Sequence, residues 1–259
     1  MPSGTGGPGA PGLHRVRDLL VLNLEGGRAV VIACDSAGGV GPKPDDAVAA
    51  PGYVVGRFTA RVALMEILAG GASPVAVVNS LCVEPFPTGE EIARGVREEA
   101  VLAGVDPEAA VTGSSEKNIP TVQTGLGVTV VALADPAGLR PGRAAPGDLV
   151  IAAGRPKWGN EVRLDDPEIA DLELVRLLGS RPGVHDLLPV GSRGIAREAR
   201  VMGESAGLRY VPLLPPGWDV AKSAGPSTCV LAAISPGHVD AAMAGVAQPW
   251  AVVGRLESV

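Results

Sequence analysis

The segment Cys34-Asp35-Ser36-Ala37-Gly38-Gly39-Val40-Gly41-Pro42-Lys43 gathers three kinds of residue that phosphate chemistry uses. Asp35 offers a hard oxygen suited to Mg²⁺, Lys43 a compact positive charge for a phosphate oxygen, and Gly38, Gly39 and Gly41 let the backbone approach a ligand closely. On local pattern alone an acidic surface turn explains the same residues equally well. Other phosphate-binding devices are missing: the chain has no GxxxxGK[ST], and Gly125-Leu126-Gly127 lacks the third glycine and the helix of a dinucleotide fingerprint. Gly203-Glu204-Ser205-Ala206-Gly207 matches GxSxG, yet a helical pattern precedes it and a strand-like run follows. A helix end at Gly207 therefore explains it better than a nucleophile elbow does.

The elements that must position these residues follow from periodicity and punctuation. Arg28 to Ala33 is a short β-branched run that ends at Cys34-Asp35, which puts Asp35 at the carboxy end of a strand. Between Gly56 and Gly70, Val62, Leu64, Ile67 and Leu68 recur with helical spacing, and Gly70-Gly71 with Pro74 stops the helix. Val75 to Val83 reads as a strand. Thr88 to Ala103 reads as a helix, with Thr88 and Glu91 in capping-box spacing. Gly125 to Ala134 is a nearly continuous apolar strand. Pro136, Pro141 and Pro146 among glycines and arginines mark a boundary over residues 135–147. Beyond it, strands are expected at Leu149 to Ala153, Thr228 to Ile234 and Trp250 to Leu256, and helices near Asp166 to Leu178 and Gly194 to Ala206. The alternation predicts an α/β or α+β class with mixed sheets.

Composition narrows the partners. The 259 residues are 46 % hydrophobic with a formal charge of −6, so the chain can bury one large core or two modest ones and lacks the positive field that nucleic acid requires. Cys34, Cys82 and Cys229 form no CxxC pair, which argues against zinc and against a disulfide framework and fits a reducing cytoplasm. No apolar run reaches the roughly 20 residues of a membrane span. Residues 1–12 are rich in Gly and Pro and read as a disordered tail.

Four stretches in order resemble the aminoimidazole ribonucleotide (AIR) synthetase superfamily. Asp35 through Lys43 resembles its Asp-Gly-Val-Gly-Thr-Lys loop with two extra residues. Leu64-Met65-Glu66-Ile67-Leu68-Ala69-Gly70-Gly71-Ala72-Ser73-Pro74 resembles its Val-Asn-Asp-Ile-Leu-Ala-x-Gly-Ala-x-Pro helix, so Glu66 stands where that family has a magnesium-binding aspartate. Thr112-Gly113-Ser114-Ser115-Glu116 resembles its Gly-Gly-Glu/Asp-Thr turn, and Pro146-Gly147-Asp148 the opening of its second domain. Phe58 to Glu66, Glu116-Lys117-Asn118 and Gly154-Arg155-Pro156-Lys157-Trp158-Gly159 are most similar to the α-ribazole kinase branch.

The resemblance implies a two-domain fold. Residues 13–140 would form an ATP-binding and dimerisation domain whose mixed sheet pairs with a second copy into a barrel, and 141–259 an α/β carboxy-terminal domain. It implies an ATP-dependent kinase acting on a small nucleoside-like acceptor, α-ribazole being the favoured one. Asp35, Glu66 and Glu116 would hold Mg²⁺, with Asp45 or Asp46 in reserve. Asp35, Lys43 and Glu66 would be catalytic. Gly38, Gly39, Gly41, Lys43, Arg61, Gly113, Ser114 and Asn118 would bind the nucleotide, Lys43 and Arg61 through its phosphates. Val184-His185-Asp186 is similar to a His-Asp or Ser-Asp pair in the family's second domain, where acceptor is contacted; a structural His–Asp hydrogen bond is the simpler account. A thiamine-monophosphate kinase-like or amidine-forming enzyme, and a nucleotide-binding scaffold without turnover, are the alternatives.

Overall fold

The computed structural model describes residues 12–259, so the expected tail, Gly12 apart, lies outside the described residues. In chain order the elements are β1 (Leu13–Val16), β2 (Leu19–Leu24), β3 (Arg28–Gly38), β4 (Val40–Gly41), β5 (Val48–Ala49), α1 (Gly52–Ala69), β6 (Ser73–Leu81), α2 (Glu90–Leu102), α3 (Pro107–Ala110), β7 (Val111–Ser115) and β8 (Gly125–Ala134). There follow β9 (Leu149–Ala153), α4 (Leu172–Ser180), β10 (Val184–Pro189), α5 (Gly194–Ser205), β11 (Leu208–Pro212), β12 (Val230–Ile234), α6 (Val239–Met243) and β13 (Trp250–Ser258).

Two main sheets result. The first runs β1-β2-β3-β8-β6-β7 and is mixed, with β6 and β7 parallel and its other pairs antiparallel. The second, β10-β12-β9-β13-β11, is antiparallel throughout. The first sheet is open, and no closed barrel forms within one chain.

Strand β8 shows how sequence sets the faces. Leu126, Val128, Val130 and Ala132 are buried against the helices, while the alternate residues Thr129, Val131 and Leu133 lie half-buried on the opposite face. On that opposite face the register aligns Leu20, Ile32, Val131 and Ala76 in one row across four strands.

Helix α1 lies between the sheets. It buries residues around most of its circumference, as a helix inside a core must. One continuous apolar cluster passes from Val31, Val77 and Val130 through Leu64 and Ile67 of α1 to Leu174 and Leu178 of α4 and Ile151, Leu187 and Ile234 of the second sheet. The other face of that sheet packs Leu188 and Leu231 against Ile195 and Met202 of α5. Helices α1 and α2 meet backbone to backbone because Gly56 and Gly95 carry no Cβ; one placed there would stand 2.1 Å from the Ile92 carbonyl oxygen and 2.2 Å from that of Tyr53.

Several details differ from the sequence reading. Helix α2 starts at Glu90 with no side-chain cap, because the Thr88 hydroxyl donates to Glu84 instead (2.6 Å) and Pro85 and Pro87 keep the preceding turn irregular. The helix expected from Asp166 begins only at Leu172, where Asp171 accepts from the Leu174 N–H (2.8 Å). Strands β1, β2, β7 and β10 are additions to it. Among the described residues no helix is long and apolar enough to cross a membrane.

Candidate functional site

A cleft of 810 Å³ opens between the two sheets. One wall is the carboxy end of β3 with Asp35, Ser36 and Gly38, and its apolar floor is Val54, Val55, Phe58 and Val62 from the first half of α1. The facing wall comes from residues 159–165, from Gly191-Ser192 and from Gly225-Pro226-Ser227.

Asp35 is half-buried inside β3, which runs on to Gly38 beyond the expected end because Ser36, Ala37 and Gly38 also pair with β8, and burial pushes its carboxyl up to about 6 against a hydrogen bond from the Ser36 backbone. Glu66 sits in the last turn of α1. Burial raises its carboxyl to about 8; Asp18, Glu198 and Asp35 add to the rise, and Arg17 opposes it. Asp35 and Glu66 are thus close enough to feel each other's charge.

Asp18 and Glu198 are additions that the sequence did not announce. Asp18 is in the β1–β2 turn and Glu198 in α5, far from Glu66 in the chain, and neither stands in a motif. The turn is held by its neighbour Arg17, whose guanidinium grips Asp186 through both carboxylate oxygens and donates to Ser205 Oγ at 2.8 and 3.1 Å. Glu198 is buried, its carboxyl raised first by that burial, and its nearest cation is Arg193 at 3.8 Å.

The glycine-rich loop is tightly held. Asp46 accepts from the Lys43 N–H (2.8 Å), the Thr124 N–H (2.8 Å) and the Thr124 hydroxyl (2.7 Å). A Cβ on Gly41 would stand 2.2 Å from Thr124 Oγ1, so only glycine fits beneath this bridge. The Gly39 N–H donates to the Thr124 carbonyl (2.9 Å). Lys43 reaches across to pair with Glu84. Burial alone would raise Glu84, but the Lys43 ammonium and the Thr88 hydroxyl outweigh it and hold the carboxyl down at about 2.

Other residues singled out from the sequence stand elsewhere. Glu116 is exposed, folds back to accept from the Asn118 and Ile119 N–H groups (2.7 and 3.1 Å), and is absent from both the cleft lining and the charges acting on Glu66. Those hydrogen bonds, Asn118's first, lower its proton affinity. Gly113 and Ser114 line a separate hollow of 530 Å³ with Asn79, Arg97 and Lys117. Asn118 lines neither the cleft nor this hollow.

Arg61 requires a correction. It is 5 % exposed, donates to Glu99 of α2 (2.7 and 3.3 Å) and stacks over Phe58 at 4.8 Å, so its charge is spent inside the core and reaches no phosphate. The His185–Asp186 pairing is corrected too: His185 Nδ1 bonds Asp148 (2.8 Å), while Asp186 belongs to Arg17. His185 falls in the register shift between Val184 and Asp186, so it is the extra residue of a bulge and its ring is aimed separately from the Asp186 side chain.

Among the described residues no three His, Cys, Asp or Glu side chains form a ready-made metal cage. Mg²⁺ usually takes one or two carboxylates and completes its shell with water and substrate phosphates. Asp35 and Glu66, both partly buried and disfavoured as bare anions, fit that limited role.

Residues 16–134 match the family described as AIR synthase related protein, N-terminal domain. No curated protein sequence matches the chain. Among solved structures, thiamine monophosphate kinase from Aquifex aeolicus superposes with a TM-score of 0.65 at 15 % identity, covering 94 % of this chain and 90 % of that one. AaThiL complexed with AMPPCP and TMP gives 0.63 at 14 % identity, with 93 % and 85 % covered. Hydrogenase maturation protein HypE in complex with ATP gives 0.64 at 18 % identity, with 96 % and 82 % covered. Residues 16–134 thus resemble an AIR synthase related N-terminal domain, and the chain as a whole shares the fold of the thiamine monophosphate kinase and HypE structures.

Proposed function

We propose that this protein is a Mg·ATP-dependent small-molecule kinase that phosphorylates a hydroxyl of a nucleoside-like acceptor, with α-ribazole as the best candidate. The observation that carries the reading is a large cleft with an apolar floor and Asp35 on its wall; Glu66 stands outside the cleft lining but near enough to feel the Asp35 charge, and both carboxyls are raised in proton affinity, first by burial. Relatives of the same fold bound to ATP or AMPPCP support the nucleotide.

In the reaction the acceptor oxygen forms a bond to the γ-phosphorus as the bond to the β,γ-bridging oxygen breaks. ADP leaves, and the hydroxyl proton passes to a base. Such a transfer asks the protein chiefly for positioning and charge neutralisation. Asp35 and Glu66 would hold Mg²⁺, which neutralises the triphosphate when bound. Asp35 lines the cleft, so its carboxylate would hold the metal on the side that faces the acceptor. Gly38, Gly39 and Gly41 bring the backbone near phosphate, and Lys43 supplies positive charge once a triphosphate competes with Glu84 for it.

The cleft also favours an uncharged acceptor. Among the described residues its one lining cation, Arg163, is exposed and lies 3.8 Å from Asp165, while Val54, Val55, Phe58 and Val62 offer a surface for an apolar ring. A phosphorylated acceptor such as thiamine monophosphate would face Asp35 with no unpaired lining cation among the described residues to bind it.

Residues 13–140 would carry ATP binding and dimerisation, and 141–259 the facing wall of the cleft. The row Leu20, Ile32, Val131 and Ala76 supports a homodimer joined through the open sheet face, and three unpaired thiols support a cytoplasmic location. Incubation with γ-labelled ATP and either α-ribazole or thiamine monophosphate tests the assignment. Label should move to α-ribazole; release of free phosphate alone, or transfer only to thiamine monophosphate, refutes it.

A further inference from the structure

Two non-glycine residues among those described have a left-handed backbone, Arg17 (φ 53°) and Ser227 (φ 53°). Such a conformation is costly for a residue with a side chain and persists where surrounding structure imposes it. Arg17 is explained by its grip on Asp186. Ser227 lacks a comparable contact. It is 3 % exposed and lines the cleft, and its hydroxyl makes no hydrogen bond to any described residue, whereas the neighbouring Thr228 hydroxyl is bonded to both Lys157 and Ala224. The hydroxyl is not sealed off: it keeps contact with the cleft, where water or a ligand can supply the partner that the described residues do not.

The surroundings form a notch of small residues. No atom lies within 4 Å of a Cβ built on Gly191, and for Gly225 the nearest atoms are the Ser223 hydroxyl and the Ser192 backbone at 3.8 to 4.0 Å. Gly191, Ser192, Gly225 and Ser227 therefore leave room on the wall that faces Asp35 and Ser36. The notch presents hydroxyl and backbone groups but no cation, which suits a neutral, hydroxyl-bearing group and not a phosphate.

We propose that Ser227, in the notch it shares with Gly191, Ser192 and Gly225, hydrogen-bonds the sugar hydroxyls of a nucleoside acceptor and orients it toward Asp35. This deepens the kinase reading and rests on it for the identity of the cleft as the acceptor site. Ser227 has no part in holding ATP.

The test is calorimetric titration of α-ribazole, which needs no turnover, into wild type, Ser227→Ala and Ser227→Gly, alongside KM values for α-ribazole and ATP. Loss of one neutral hydrogen bond should weaken α-ribazole binding roughly five- to tenfold in both variants. The KM for ATP should stay within twofold. Ser227→Gly, which relieves the backbone, should melt no lower than wild type. Unchanged α-ribazole affinity in the variants overturns the inference. So does a fall in melting temperature and in both substrate affinities together, because that marks a structural role. So does absence of α-ribazole binding by wild type. Binding that weakens as expected without any phosphate transfer upholds the subsite and overturns the kinase reading alone.

Discussion

Glu66→Gln separates folding from function most sharply. In the ligand-free protein the Glu66 carboxyl rises from 4.5 to about 8, so ionising it inside the fold is unfavourable. A folded-state value above the unfolded one stabilises fully below about pH 4.5, and that contribution is lost as pH rises through 8. Full conversion of the difference gives about 5 kcal/mol; because Glu66 keeps some contact with solvent, roughly half, about 2 to 3 kcal/mol, is the expected size. Glutamine carries no charge to desolvate. Without Mg²⁺ the variant should therefore gain about 2 to 3 kcal/mol on wild type between pH 5 and pH 8.5, or roughly 5 to 10 °C in Tm. Addition of Mg²⁺ and AMPPCP at pH 8.5 should reverse the order, stabilising wild type and leaving Glu66→Gln unmoved. Urea unfolding at the two pH values, with and without the ligands, reads both effects. A constant difference between the two proteins across this range would refute the electrostatic argument, and equal stabilisation by Mg·AMPPCP would remove Glu66 from the metal site.

Further outcomes follow from other contacts. Lys43→Ala should raise the KM for ATP and cost about 1 kcal/mol, since the Lys43–Glu84 pair is partly exposed. Its stability deficit should be full above about pH 4.5 and vanish as pH falls toward 2, where Glu84 protonates in both proteins. Arg61→Ala should cost about 1.5 to 3 kcal/mol in chemical denaturation because buried Glu99 loses one of its two guanidinium partners and keeps Arg57, while the folded fraction keeps wild-type affinity for Mg·AMPPCP. Gly113→Ala should lower Tm markedly, for the new Cβ would stand 1.9 Å from Asn79 Oδ1 and push β7 off β6. Ile32→Glu, on the open sheet face, should give a monomer by light scattering; a wild type already monomeric at micromolar concentration would refute the dimer.

Much of the architecture was legible because it rests on local signals. β8 and β9 begin and end where their apolar runs do, and α1 and α5 stop at glycines. β7, Val-Thr-Gly-Ser-Ser, was not, since it has little apolar character and owes its extended form to pairing with β6. The hairpin of β1 and β2 escaped for a similar reason: its turn, Arg17-Asp18, carries no glycine, and its left-handed residue is stabilised by Asp186, 169 positions away.

The site divides the same way. Asp35 could be singled out as a candidate because it follows a clear apolar strand pattern, and Glu66 because its helix resembles the family's. Asp18 and Glu198 could not, because only tertiary packing brings a turn and the exposed-looking face of α5 around Glu66. Arg61 misled because its position in α1 says nothing of which way the helix faces, and Glu99 lies 38 residues on.

The way α1 is enclosed has a bearing on how the polypeptide can be divided. The helix precedes the connector at residues 135–147 and packs chiefly on α2 and the first sheet, but it also touches α4 and β10 beyond the connector. A protease nick in that connector would leave two pieces that stay clasped and purify as one body. Expressed singly, each would present the imprint of the other as a greasy scar, and a gene cut there would yield inclusion bodies where an intact but severed protein stays folded.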